Sequence, residues 1–248
     1  MIEIAIVVPF YNHEHAIERT VASIRRFGLR TWLIDDGSLA RCRPVLARIA
    51  NAEASWLKVL HLPSNRGKGV AVREGMEAAR AAGCTHALQI DADGQHESAD
   101  IPRMIDLARA RPEAIITGVP IFDQTAPKSR VYGRRLTHLW VCINTLSAEV
   151  RDAMCGFRIY PLAATLALTQ RSPACQRMEF DPEILVRASW AGVPIVSMPT
   201  RVSYPSDGVS HFNMLRDNTR ISAMHARLFF GMLLRAPRLL ARRLGARA

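Results

Sequence analysis

Over the first 120 residues, short apolar runs alternate with segments whose apolar residues recur at helical spacing. This pattern specifies an α/β fold built on a mostly parallel sheet with crossover helices. The spacing predicts strands at Ile2 to Val8, Thr31 to Ile34, Trp56 to Leu60, His86 to Ile90 and Ala114 to Thr117. Between them it predicts helices at His13 to Phe27, Leu39 to Ala52, Gly69 to Ala82 and Ala99 to Ala110. Four polar clusters then fall at the carboxyl ends of strands: "PFYN" (9 to 12), "DDGS" (35 to 38), "HLPSNRGKG" (61 to 69) and "DADGQHE" (91 to 97). Parallel strands share one carboxyl edge, where open α/β folds bind ligands, so these loops are expected to meet in one crevice.

The residue types in that crevice suit phosphate and metal chemistry. Asp91 and Asp93 leave a strand together, and Mg2+ takes one or two carboxylates before completing its shell with water and substrate phosphates. Gly94 permits a tight turn, and Gln95 adds a neutral oxygen. The same stretch is also good turn chemistry, so the residues alone leave both readings open. A calcium loop is excluded, because the glycine comes fourth rather than sixth and Pro102 stands in place of the bidentate glutamate. Asp35 and Asp36 either accept hydrogen bonds from a base or ribose, or form a turn in which Asp36 caps the next helix. "NRGKG" brings Arg66 and Lys68 to the same edge but is not a Walker loop, since Gly69 follows the lysine where Ser or Thr is required. "GKGVAVREG" carries Val72 where a dinucleotide fingerprint needs its third glycine, and no Gly-x-Ser-x-Gly elbow occurs.

Beyond residue 120 the alternation stops. The segment 126 to 147 reads as a basic loop entering a helix, and 152 to 161 as a turn and short strand. Residues 180 to 192 read as a helix with Asp181 as N-cap, Pro182 in the first helical position and Gly192 at the end. "VPIVSMPTRVSY" (193 to 204) reads as a strand interrupted by proline. From Met214 to Leu234 apolar residues recur at helical spacing until Pro237 intervenes.

The net charge of +11 is uneven: no acid follows Asp217, whereas seven arginines do. "RLFFGMLLRAPRLLARRL" (227 to 244) suits either an interfacial helix on anionic lipid or a core-packing helix with a solvated basic end. Aromatic residues make up 6% of the chain with no stacking pattern, which argues against nucleic acid as a partner. Five cysteines without a Cys-x-x-Cys pair suggest reduced thiols, and no apolar run approaches the roughly 20 residues of a spanning helix. The expected location is cytoplasmic, peripheral on the cytoplasmic face of the membrane.

Taken together, "VVPFYNHE", "DDGS", "NRGKGVAVREGM", "DADGQHE" and "DAMCGFRIYP" resemble the family 2 glycosyltransferases of GT-A fold, in the branch that uses polyprenyl phosphates. The resemblance runs from Ile4 to Phe212 with order and spacing kept. It implies a GT-A, Rossmann-like catalytic domain over residues 1–212, and the arginine-rich helical pattern beyond it reads as a basic amphipathic tail over 213–248. It also implies a nucleotide-diphosphate sugar donor, Mg2+ or Mn2+, and inverting transfer to a lipid-linked acceptor, either a polyprenyl phosphate or a lipid hydroxyl. Carried onto this chain, Pro9, Tyr11, Asn12, Asp35, Asp36, Lys68 and Asp91 are expected to contact the nucleotide sugar. Asp91, Asp93 and Gln95 are expected at the metal and diphosphate. Lys128, Arg130, Arg134, Arg135, Arg201 and His211 are expected at the leaving diphosphate or an acceptor phosphate.

Gly156, Phe157 and Arg158 match an element on the acceptor side. A hydroxyl acceptor needs a general base, for which Asp181 is the first choice and Glu179 the second, whereas a phosphate acceptor is already anionic. Asp181, Glu179 and Arg158 are thus the expected catalytic set. The competing class is a catalytically inactive chain of this fold that binds nucleotide sugar or serves as a scaffold.

Overall fold

The computed structural model describes residues 2–122, 128–170, 176–203 and 213–245. Strands β1 (Ile4–Phe10), β2 (Thr31–Asp35), β3 (Leu57–His61) and β4 (His86–Gln89) lie within one or two residues of the apolar runs. Helices α1 (Ile17–Arg25), α2 (Arg43–Ala52), α3 (Lys68–Ala81) and α4 (Ile101–Ala110) follow them in turn. All seven residues of β1 are buried, as a central strand covered on both faces requires.

Then come β5 (Ile115–Phe122), α5 (Lys128–Thr145), β6 (Arg158–Pro161), α6 (Leu162–Gln170), α7 (Phe180–Ala191), β7 (Ile195–Val202), α8 (Met214–Leu233) and α9 (Ala236–Gly245). The sheet order is β3-β2-β1-β4-β6-β5-β7. β3, β2, β1 and β4 pair in parallel, and β5 pairs in parallel with β7. β6 inserts antiparallel between β4 and β5. Phe10 lies opposite Asp35, and Asp35 opposite His61, so the loops after the first three strands leave the sheet at one level. The order reverses at β1, where the connection passes from β3 on one side to β4 on the other, and a crevice opens above that point.

Two local expectations are corrected. β7 is not interrupted by Pro199, which pairs with Val119 inside a continuous strand. β7 is the sheet edge, so the missing proline N–H leaves no ladder partner unsatisfied. Asp181 is not the N-cap of α7: Glu179 holds that position without a side-chain cap bond, and Asp181 lies in the first turn. Gly192 does end the helix, in the left-handed conformation.

One buried cluster under the sheet includes Val7, Ile34, Phe180, Ile184, Ile221, Met224 and Leu228, so one face of α8 belongs to the core. Glu183, fully buried on α7, accepts hydrogen bonds from Arg187 at 2.6 Å and from Arg227 of α8 at 2.7 Å, tying α8 to the body of the domain. Among the described residues no helix is long and apolar enough to cross a membrane, and Cys42, Cys84, Cys142 and Cys155 are free thiols.

Candidate active site

The loops at the carboxyl edge are knitted together by short polar side chains. After β1, Asn12 takes a positive φ of 52°, which asparagine tolerates, and its Oδ1 accepts from the N–H of Leu39 at 2.9 Å. Asp35 accepts from the Ser38 N–H at 3.0 Å, and its other oxygen lies 2.8 Å from His61 Nδ1. Asp36 does not cap the following helix. Its carboxylate accepts the backbone N–H groups of Arg66 and Gly67, both at 2.7 Å, and so shapes the glycine-rich turn that begins α3. Burial pushes its pKa above the usual carboxylate value despite these bonds. Gly67 has φ 105°, and an added Cβ there would lie 2.5 Å from the carbonyl oxygen of Gln176.

These loops surround a cavity of about 650 Å³. Its wall includes Pro9 and Tyr11 after β1, Asp36 after β2, Gly67 and Lys68 at the start of α3, and Asp91, Asp93 and Gln95 after β4. Gly156, Asp181 and Arg134 close it from the second half of the chain.

The floor is a compact charge cluster. Lys68, the first residue of α3, donates to Asp91 at 2.9 Å and to Asp181 at 2.7 Å. Burial acts to lower the lysine pKa, but the two carboxylates raise it above its ordinary value. Burial likewise acts to raise that of Asp91, but Lys68 and His96 hold the carboxyl well below the usual range. Gln89 Nε2 lies 3.4 Å from a carboxylate oxygen of each aspartate. Gly156 makes the approach possible: a Cβ there would stand 2.6 Å from Asp91 Oδ2 and 2.7 Å from Lys68 Nζ.

Arg158 lies beneath this floor, fully buried and outside the cavity wall. It donates to the carbonyl oxygens of Asp181 at 2.7 Å and Ala153 at 2.8 Å, and to Thr117 Oγ1 at 3.1 Å. It therefore positions Asp181 and contributes a second buried positive charge. Burial raises the pKa of neighbouring Tyr160 to about 12, which keeps its hydroxyl protonated, and that hydroxyl donates to Gln89 Oε1 at 3.2 Å.

The other expected residues separate by position. Glu179, Asn12, Asp35, Arg135 and Arg201 do not form part of the cavity wall. Glu179 is buried, with Oε1 accepting from the N–H of Arg177, while Arg135 and Arg201 are exposed. Arg134 lines the cavity and donates to both oxygens of Asp152 at 2.9 Å. Asp152 also accepts from the N–H groups of Met154 and Cys155, organising the turn into Gly156. His211 and the side chains of Lys128 and Arg130 lie outside the described residues.

Several residues of the wall had no role assigned from the sequence, although His96 lies within the DADGQHE cluster. His96 stacks on Phe157 with ring centroids 5.3 Å apart, and its Nε2 lies 3.4 Å from Asp91. Arg177 lies at the wall and donates to Asn65 Oδ1 at 2.5 Å, and Arg216 and Arg220 enter from α8. Only the excess of arginine after residue 217 hinted at the last of these.

The donor set fits a hard cation held mainly by its ligand. Asp91, Asp93 and Gln95 all face the cavity as oxygen donors. Among the described residues no group of three or more His, Cys, Asp or Glu could enclose a metal alone. An ion completed by diphosphate and water needs no such enclosure.

The family model for glycosyl transferase family 2 matches residues 5–174, the segment that supplies most of this cavity. The chain belongs to that family. Among its relatives, a dolichyl-phosphate beta-glucosyltransferase of Trichomonas vaginalis is 28% identical over 210 residues, covering 75% of this chain. This family 2 chain spans 61% of that relative's length. The crystal structure of glucosyl-3-phosphoglycerate synthase from Mycobacterium tuberculosis matches 94% of the chain and 79% of its own, with a TM-score of 0.63 at 16% identity. A mannosyltransferase from Pyrobaculum calidifontis, solved with GDP-Man and Mn2+, matches 94% of the chain and 64% of its own, with a TM-score of 0.59 at 15% identity. The fold is thus of the GT-A type that the motifs led one to expect, with helices α8 and α9 following the sheet.

Proposed function

We propose that this family 2 chain transfers a sugar from a nucleotide-diphosphate sugar, with inversion and with Mg2+ or Mn2+, to a lipid-linked phosphate at a membrane surface. The observation that carries this reading is the Lys68 bridge, which sets the carboxylate of the DADG loop one ammonium away from Asp181 at the floor of the cavity. Donor and acceptor chemistry would then meet over one charge cluster.

Asp91, Asp93 and Gln95 would hold the cation, which when bound supplies positive charge to the leaving diphosphate. Pro9, Tyr11 and Asp36 would border the nucleotide. The bond from the anomeric carbon to the diphosphate oxygen breaks with its electron pair going to that oxygen. A lone pair of the acceptor oxygen forms the new bond from the opposite face. Arg134, held by Asp152, and Arg177, held by Asn65, are fixed cations at the wall that favour the developing negative charge without reorganising, and Lys68 adds a third positive charge at the floor.

Asp181 bears on the choice of acceptor. Its Oδ2 accepts from Lys68 at 2.7 Å, so that oxygen is already engaged by a protein cation rather than turned to an acceptor hydroxyl. An acceptor phosphate is already anionic and needs no base, which agrees with the dolichyl-phosphate named for the relative above. Membrane contact is supported by Phe230, Leu233, Leu234, Leu240 and Leu244, all at least half exposed on the last two helices, with exposed Arg238 among them. Arg235 and Arg242 are already engaged: Arg235 lies 4.7 Å over the Trp190 ring, and Arg242 donates to the Ser189 carbonyl.

Thermal shift of the purified protein against UDP- and GDP-sugars with Mn2+ tests donor binding. One nucleotide class should raise the melting temperature in the wild type and not in Asp93→Ala. No shift with either class, or an equal shift in Asp93→Ala, contradicts the reading.

A further inference from the structure

The Lys68 bridge has a consequence for how metal and nucleotide assemble. Both oxygens of Asp91 lie within 3.0 Å of the ammonium. A divalent cation needs a carboxylate oxygen at about 2.1 Å, and two cations cannot share that carboxylate at such distances without strong repulsion. Lys68 has somewhere to go, because its contact with Asp181 is the shorter of the two and its four-carbon stem is flexible. The ion pair is also largely enclosed, with the lysine and Asp181 side chains 15% and 6% exposed, so solvent screens it little.

We propose that Lys68 is a positioning residue that stands in for the metal before the donor arrives, then yields Asp91 and turns to the diphosphate while still held by Asp181. Metal and nucleotide then bind cooperatively through one side chain. Metal alone must displace an ammonium from Asp91, whereas metal with a diphosphate offers that ammonium new acceptors. By reciprocity the nucleotide also binds more tightly once the metal is present. This inference rests on the metal and diphosphate roles proposed above.

The test titrates Mn2+ by electron paramagnetic resonance, with and without UDP and GDP, in the wild type, Lys68→Met and Lys68→Arg. In the wild type the recognised nucleotide should tighten Mn2+ binding by about tenfold or more, and in Lys68→Met free Mn2+ should bind about tenfold more tightly than in the wild type while the nucleotide's effect shrinks. Lys68→Arg keeps a cation in place, so its affinity for free Mn2+ should stay near the wild-type value. It provides the comparison should Lys68→Met fail to fold: free Mn2+ binding to Lys68→Arg several-fold tighter than wild type overturns the inference. Unchanged Mn2+ affinity and coupling in folded Lys68→Met overturns it as well, and leaves the proposed function standing. Absence of Mn2+ binding to the wild type, with or without nucleotide, overturns both.

Discussion

Replacing Gly156 with alanine separates the fold from the site. Gly156 is not among the glycines with positive φ, so alanine fits the backbone and the only conflict is contact. The new Cβ would stand 2.6 and 2.7 Å from the two Asp91 oxygens and 2.7 Å from Lys68 Nζ. Ordinary contact begins near 3.4 Å, so these groups must retreat by about 0.7 to 0.8 Å. All three atoms are ends of flexible side chains and can move without disturbing the sheet, so destabilisation should stay near about 1 kcal/mol, the lower end for overpacking. The charge cluster does not survive that retreat. A displacement approaching 1 Å of groups that position the reaction costs about 100-fold in rate, or about 2.7 kcal/mol of barrier. Donor-sugar turnover with Mn2+, read beside a urea denaturation curve, measures both quantities. Turnover within twofold of wild type, with normal stability, would refute the idea that close packing of Asp91 and Lys68 against Gly156 sets the positions the reaction needs.

Three further outcomes follow from the buried charges. Arg158→Met should destabilise by about 3 kcal/mol in urea unfolding, because it leaves the carbonyls of Asp181 and Ala153 without their donors. Glu183→Ala should cost about 3 kcal/mol by stranding two arginines, but Arg227→Ala only about 1 kcal/mol, since Arg227 is nearly half exposed and Arg187 remains; denaturant midpoints compare them. Burial beside Asn144 and Trp140 lowers the His225 pKa from 6.5 to about 4. The unfolded chain therefore takes up this proton first as pH falls, so stability is fully present above pH 6.5 and declines toward pH 4, by at most about 3 kcal/mol. His225→Gln should flatten that part of the stability profile.

The first half of the molecule was legible because its signals are local. Apolar runs and helical periodicity set β1 to β4 and α1 to α4, and the register of parallel strands carried "DDGS", "NRGKG" and "DADGQHE" to one edge. What could not be read depends on contacts far apart in sequence. The insertion of β6 between β4 and β5 is decided by pairing of Leu88 with Ile159, and no periodicity announces it. Asp181 has the sequence context of an N-cap, yet Lys68, 113 residues away, captures its carboxylate. Arg177, Arg216 and Arg220 reach the cavity only through the packing of the entry to α7 and of α8, and the orientation of His96 within the DADGQHE loop is set by stacking on Phe157. Arg158 was legible as part of a motif, but only its burial distinguishes a residue that holds Asp181 from one that touches substrate.

Donor and acceptor chemistry are proposed to meet in one cavity. The most direct measurement is transfer of labelled sugar from a panel of UDP- and GDP-sugars to a polyprenyl phosphate in anionic vesicles, read as label in the lipid extract. Label that depends on Mn2+ or Mg2+ is expected from one donor, and is lost in Asp93→Ala. Donor binding without label in any phosphate or hydroxyl lipid would contradict this expectation, and would mark the chain as a nucleotide-sugar-binding scaffold.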